Sequence, residues 1–93
     1  MNIKIGIIEN EKKYSQNLCD LLETWSSAQS CTLDIQLFST GKEILQTNDL
    51  DHNILFIDIQ LDDANGVDIA KTLRKKNCSS EIVFLTAYKE YVF

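Results

Sequence analysis

Three observations predict an α/β fold, a doubly wound parallel sheet in a single domain. Strand-patterned and helix-patterned segments alternate four times along the 93 residues. Most of the strand segments are apolar throughout, as strands covered by helices on both faces are. The length suits one small hydrophobic core.

The elements follow in order. Ile3-Lys4-Ile5-Gly6-Ile7-Ile8 is β-branched and apolar, a first strand. Asn10 is a candidate helix N-cap, with Glu11 in the first turn. Tyr14, Leu18, Leu21, Leu22 and Trp25 recur at helical spacing, so a helix is expected over residues 11–27 with these five on its inner face. Residues 26–30 have loop composition. Leu33-Asp34-Ile35-Gln36-Leu37 alternates apolar and polar, which marks a half-exposed edge strand. Thr40-Gly41-Lys42-Glu43 has capping-box spacing, and a short helix should follow with Ile44 and Leu45 inward.

Residues 47–53 form a polar connection, and His52, the only histidine, is expected on its surface. Ile54-Leu55-Phe56-Ile57 is a buried strand that ends abruptly at Asp58. Residues 62–66 form a loop. Asn65 can cap a helix over residues 66–76, with Ile69, Ala70 and Leu73 inward and Arg74-Lys75-Lys76 at its C-terminal end. Residues 81–85 form a fourth strand, and Ala87 begins a last helix toward Phe93. With no proline and three glycines, the turns must rest on Asn, Asp and Ser. Strand character places the strands in the order 2-1-3-4. That leaves the apolar fourth strand on an open edge, which predicts a homodimer or other cover through the strand-4 and last-helix face.

Composition excludes several function classes. The net charge of −5 gives no basic stripe for nucleic acid or anionic membrane. No apolar run approaches the roughly 20 residues of a membrane span, and the N-terminus lacks a signal-peptide pattern, so a cytoplasmic location is expected. Cys19, Cys31 and Cys78 are odd in number and widely spaced, which argues for structural thiols rather than disulfides or zinc. There is no Gly-rich phosphate loop and no Ser-His or Cys-His pairing for nucleophilic catalysis.

In open parallel sheets, ligands bind beyond the carboxyl ends of the strands, where the strand order reverses. The first strand delivers Glu9 and Asn10 there, the third Asp58 and the fourth Thr86. Two carboxylates, an amide and a hydroxyl suit a hard cation such as Mg²⁺.

The ordered set Ile5-Gly6-Ile7-Ile8-Glu9-Asn10-Glu11, Ile54-Leu55-Phe56-Ile57-Asp58-Ile59-Gln60-Leu61, Asn65-Gly66-Val67 and Phe84-Leu85-Thr86-Ala87-Tyr88 resembles the receiver domain of two-component response regulators, most closely the LytTR-type subgroup. The resemblance implies a flavodoxin-like fold. It implies that residues 1–93 are a receiver domain that stops before the family's fifth strand and last helix, and lacks the lysine and aromatic switch residue carried there. It also implies a regulatory phosphoacceptor rather than an enzyme. Asp58 would take a phosphoryl group from a sensor histidine kinase. Glu9, Asn10, Asp58 and the backbone carbonyl of Gln60 would hold Mg²⁺. Thr86 would contact the phosphoryl group, and the side chains of Gln60 and Tyr88 would tune its lifetime. The output would be a DNA-binding effector domain absent from this chain. Asn10 stands where the family usually has an acid. That departure, with the missing lysine, supports an alternative: a degenerate receiver acting as a phosphorylation-independent interaction module.

Overall fold

The structure, a computed structural model, describes residues 1–85. The element order is β1 (Asn2–Ile8), α1 (Lys12–Ala28), β2 (Thr32–Phe38), α2 (Gly41–Gln46), β3 (Ile54–Asp58), α3 (Gly66–Lys75) and β4 (Glu81–Leu85). The helix expected from Ala87 lies outside the described residues, as do Thr86 and Tyr88.

The four strands form one sheet in the order β2-β1-β3-β4, all neighbours parallel, as predicted. Strand alternation divides the apolar side chains between two faces. Between the sheet and α1 lie Ile5, Ile7 and Cys19, with Ile3, Leu18, Leu22, Leu33, Ile35, Ile54 and Phe56 packed around them. Between the sheet and α2 and α3 lie Ile8, Phe38, Ile44, Leu55, Ile57, Ile69, Ala70 and Leu73. The expected inner face of α3 is therefore observed. Leu45 packs against this cluster half-buried, beside the fully buried Ile44. At the β4 edge, Val83 and Phe84 are 44% and 42% exposed.

The inner face of α1 differs from the expectation. Leu21 and Trp25 are 70% and 48% exposed, whereas Ser15, Cys19 and Ser26 are buried. The helix lays a strip of small side chains on the sheet, flanked by Leu18 and Leu22. The two serines satisfy their hydroxyls within the helix, Ser15 Oγ donating to Lys12 O and Ser26 Oγ to Glu23 O, each at 3.0 Å. Close backbone approach thus outweighs the larger apolar side chains at neighbouring positions.

The caps are partly as predicted. Asn65 Oδ1 accepts from Val67 N–H at 2.8 Å, and Thr40 Oγ1 accepts from Glu43 N–H at 3.1 Å. Glu43 returns the bond to Ser39 N–H at 2.9 Å. Asn10 does not cap α1. Glu11 occupies that position, without a side-chain cap bond. Glu9 intervenes, its carboxylate accepting the Glu11 N–H at 3.1 Å.

Both long helices end in a Schellman motif without glycine. Cys31 N–H donates to Ser26 O at 3.2 Å, and Cys78 N–H to Leu73 O at 3.0 Å. The left-handed residues are Ser30 (φ 52°) and Asn77 (φ 64°), the Ser and Asn turns that the composition demands. Asn tolerates this region better than Ser does. Ser30→Gly is therefore expected to stabilise the chain by about 0.5–1 kcal/mol, and Asn77→Gly by less. Urea unfolding followed by circular dichroism checks this, and a loss of stability in Ser30→Gly would count against it.

His52 is a correction: it is 3% exposed, not a surface residue. Three bonds pull its loop onto the sheet. Asn53 N–H donates to Lys4 O (2.7 Å), Lys4 N–H to Asn53 Oδ1 (2.8 Å) and Ser80 Oγ to His52 O (2.6 Å). The ring then fills the space over Gly6, where an added Cβ would lie 3.3 Å from it. It stands edge-on to Phe38, with Nε2 2.9 Å from Gln36 Oε1. Its Nδ1 is buried and has no hydrogen-bond partner among the described residues. Burial first, and the Lys4 charge second, push the imidazole below its ordinary value, against Asp49, Asp51 and Asp34. The folded chain thus disfavours the proton that the unfolded chain accepts near pH 6.5. Stability is complete above that pH and falls as pH drops below it. His52→Phe, which cannot titrate, is expected to flatten the fall in Tm between about pH 7 and 5. A fall as steep as wild type's would locate the acid sensitivity elsewhere.

Candidate functional site

The site follows from register. Ile8 of β1 pairs with Ile57 of β3, so the next residues, Glu9 and Asp58, leave neighbouring strands at their carboxyl ends. This is the point where the sheet order reverses, β1 lying between β2 and β3. Both acids are buried, Glu9 at 4% and Asp58 at 1% exposure. Asn10 beside them is half-buried. Asp58 also pairs with Leu85 of β4, and Ile59 N–H donates to Leu85 O at 3.3 Å. Thr86 follows directly but lies outside the described residues.

Each acid is oriented by its own chain two residues on. Glu9 takes the Glu11 N–H, and Asp58 Oδ1 takes the Gln60 N–H at 3.1 Å. The loop after Asp58 is closed by an isolated antiparallel bridge between Gln60 and Asn65, by Leu61 N–H to Ala64 O at 3.1 Å and by Gly66 N–H to Ile59 O at 2.7 Å. Gly66 is required here, because a Cβ on it would sit 2.2 Å from the carbonyl oxygen of Asp58. Asn65 and Gly66, singled out as loop residues by sequence, thus start α3 against the backbone of the buried acid.

Sequence reasoning missed Asp63. Its carboxylate accepts the N–H groups of Gly41 and Lys42, both at 3.0 Å, at the start of α2. Those two backbone bonds hold its carboxyl below the usual carboxylate range. No local pattern announces a cap supplied from 21 residues away.

The donor set fits a hard cation. Two buried carboxylates side by side concentrate negative charge that a divalent ion offsets. Among the described residues, however, no group of three His, Cys, Asp or Glu side chains is arranged to hold a metal. Asn10, next to Glu9 in the chain, offers an amide oxygen and no charge.

A family model, the response regulator receiver domain, matches residues 5–93. The chain belongs to that family. Among its curated relatives is the sensory transduction protein LytT of Bacillus cereus, 32% identical over 89 residues, 96% of this chain and 35% of the relative. Accessory gene regulator protein A of Staphylococcus aureus is 27% identical and is matched over 98% of this chain and 40% of its own length. This receiver chain therefore spans little more than a third of these relatives. Among solved structures, a CheY-like receiver domain from Methylobacillus flagellatus superposes with a TM-score of 0.78 at 20% identity, over 100% of this chain and 76% of that one. The response regulator TrrA of Thermotoga maritima, solved in complex with Mg(2+)-BeF, superposes at 0.77 and 23% identity, over 96% and 73% of the two chains. These likenesses establish the fold, and LytT and the accessory gene regulator support the LytTR-type resemblance. No described helix is long and apolar enough to cross a membrane.

Proposed function

We propose that this receiver takes a phosphoryl group onto Asp58 from a sensor histidine kinase, with Mg²⁺ as cofactor. The carrying observation is the near-complete burial of the Asp58 carboxylate beside Glu9 at the switch point of the sheet. Phosphoryl transfer asks a protein mainly for positioning and charge neutralisation. A carboxylate oxygen of Asp58 attacks the phosphorus. The P–O bond forms as the P–N bond of the phosphohistidine breaks, and the imidazole keeps the electron pair and takes up a proton. Glu9, Asn10, Asp58 and the Gln60 carbonyl would hold Mg²⁺, which when bound neutralises charge on the carboxylates and the transferring oxygens. Thr86 would donate its hydroxyl to a phosphoryl oxygen, and Gln60 and Tyr88 would tune the lifetime of the acyl phosphate.

Phosphorylation would turn a singly charged carboxylate into an acyl phosphate of about −2, so the added negative charge of about one and the new acceptor oxygens would bias the surface around Thr86 and pass the signal to a DNA-binding output domain. The longer curated relatives support such a further domain. The exposed Val83 and Phe84 of β4 support pairing with a second copy through that edge. A cytoplasmic site of action is part of this reading.

The test is intact-mass spectrometry after incubation with acetyl phosphate, with and without Mg²⁺. One phosphoryl adduct, present only with Mg²⁺, is expected. Asn10 favours a second reading, a phosphorylation-independent interaction module. Asn10→Asp separates the two: if only that variant is labelled, the natural chain is the module.

A further inference from the structure

The loop between Asp58 and α3 contains no glycine or proline, and Gln60, Asp62, Asp63 and Asn65 within it are exposed. Packing therefore does little to hold its outer part, and its shape depends on hydrogen bonds. Its base is closed by the Gln60–Asn65 bridge, and it is anchored in the core by Leu61, buried at 8% exposure, with the half-buried Ala64 packed against the same cluster. Within its outer part Leu61 N–H donates to Ala64 O, and Asp63 ties that part to the start of α2: each of its carboxylate oxygens takes one N–H there, Gly41 and Lys42. Such bonds are charge-assisted, and the helix dipole adds to them. They also matter to α2, whose six residues could not form a stable helix alone. Thr40 satisfies the third N–H, that of Glu43.

The chain of contacts leads inward. A tilt of the loop moves Gln60, whose N–H is bonded to Asp58 Oδ1 and whose carbonyl would help to hold Mg²⁺ in the proposed function. We propose that Asp63 is a positioning residue for the Asp58 centre: by clamping the loop to the start of α2, it sets the orientation of the Gln60 peptide and the Asp58 carboxylate for Mg²⁺. This rests on the reading of Asp58 as a Mg²⁺-assisted phosphoacceptor. It also makes α2, a helix that supplies no residue to the site, sensitive to what Asp58 holds.

The experiment is a Mg²⁺ titration of the ¹⁵N-labelled 93-residue chain, read at the backbone amides. In wild type, Mg²⁺ is expected to shift the Gln60 amide and, through the clamp, those of Gly41 and Lys42. Asp63→Ala should raise the half-saturating Mg²⁺ concentration by about threefold to tenfold, less than the 10–100-fold lost when a direct partner of a metal ligand is removed. The Gly41 and Lys42 responses should vanish. Asp63→Asn keeps one acceptor oxygen and should fall between, which keeps the test open if the alanine variant unfolds. Thr40→Ala weakens α2 through its other cap without touching the loop, and should bind Mg²⁺ as wild type does. An Asp63→Ala titration equal to wild type's overturns the proposal, as does a Thr40→Ala loss equal to that of Asp63→Ala. A wild-type chain that neither responds to Mg²⁺ nor takes a phosphoryl group overturns the reading of Asp58 and this proposal together. Mg²⁺-dependent labelling with unchanged Asp63 variants overturns the proposal alone.

Discussion

Asp58→Asn is expected to leave the chain folded and wholly unable to take a phosphoryl group from acetyl phosphate. The substitution is isosteric. The asparagine Oδ1 can still accept the Gln60 N–H that Asp58 Oδ1 accepts at 3.1 Å, so the loop keeps its start. What disappears is the anionic oxygen that attacks phosphorus, and an amide does not replace it as a nucleophile. Labelling should drop to the level of the reaction without Mg²⁺, while Tm stays within a few degrees of wild type, the shift that about 1 kcal/mol produces in a small domain. Asp62 and Asp63 are the informative controls, being exposed acids in the same loop. An adduct that survives in Asp58→Asn, or maps to either neighbour by peptide sequencing, would place the acceptor elsewhere and end the assignment.

Gly66→Ala should be the most destabilising of the three glycine-to-alanine changes. An alanine Cβ would lie 2.2 Å from the Asp58 carbonyl oxygen and 2.9 Å from its carbonyl carbon. Both are backbone atoms of a central strand and cannot swing aside as a side-chain tip can. Ile57 Cγ2, at 3.0 Å, closes the remaining direction, and Ile57 is itself fully buried. Relief requires α3 to retreat from β3, which stretches the 2.7 Å bond from Gly66 N–H to Ile59 O. Overpacking of this kind costs about 3 kcal/mol or more. That is a large share of the stability of a small domain. Urea unfolding should show it directly, and phosphorylation should fall as well because the displaced backbone belongs to Asp58. A cost below about 1 kcal/mol would mean that the start of α3 gives way easily. At Gly6 and Gly41 the closest atoms are side-chain methyls, Leu55 Cδ2 and Ile69 Cδ1, which can move, so milder losses are expected there.

Much of the site was legible because it depends on where strands end. An apolar run cut off by an acid announces a carboxylate at the mouth of a buried strand. Two such runs, ending at Glu9 and Asp58, become neighbours once the sheet order is known. The order itself followed from one contrast, the polar alternation of residues 33–37 against the apolar strands. Caps at Thr40 and Asn65 were legible for the same reason, since they join residues two or three apart. The cap at Asn10 failed because a longer side chain one residue earlier, Glu9, reached the same turn first.

Composition and periodicity by themselves determined the α/β class, the strand order, the two mouth acids and the Ser and Asn turns that replace glycine. Each depends on neighbouring residues or on a pattern that repeats along one element. The tertiary structure alone decided which stripe of α1 meets the sheet, that His52 is core rather than surface, and that Asp63 serves α2. Those outcomes turn on distances between segments some 20–50 residues apart. There, a serine that admits close approach, a glycine that leaves room for a ring and a carboxylate that reaches two orphan N–H groups count for more than hydrophobicity read along the chain.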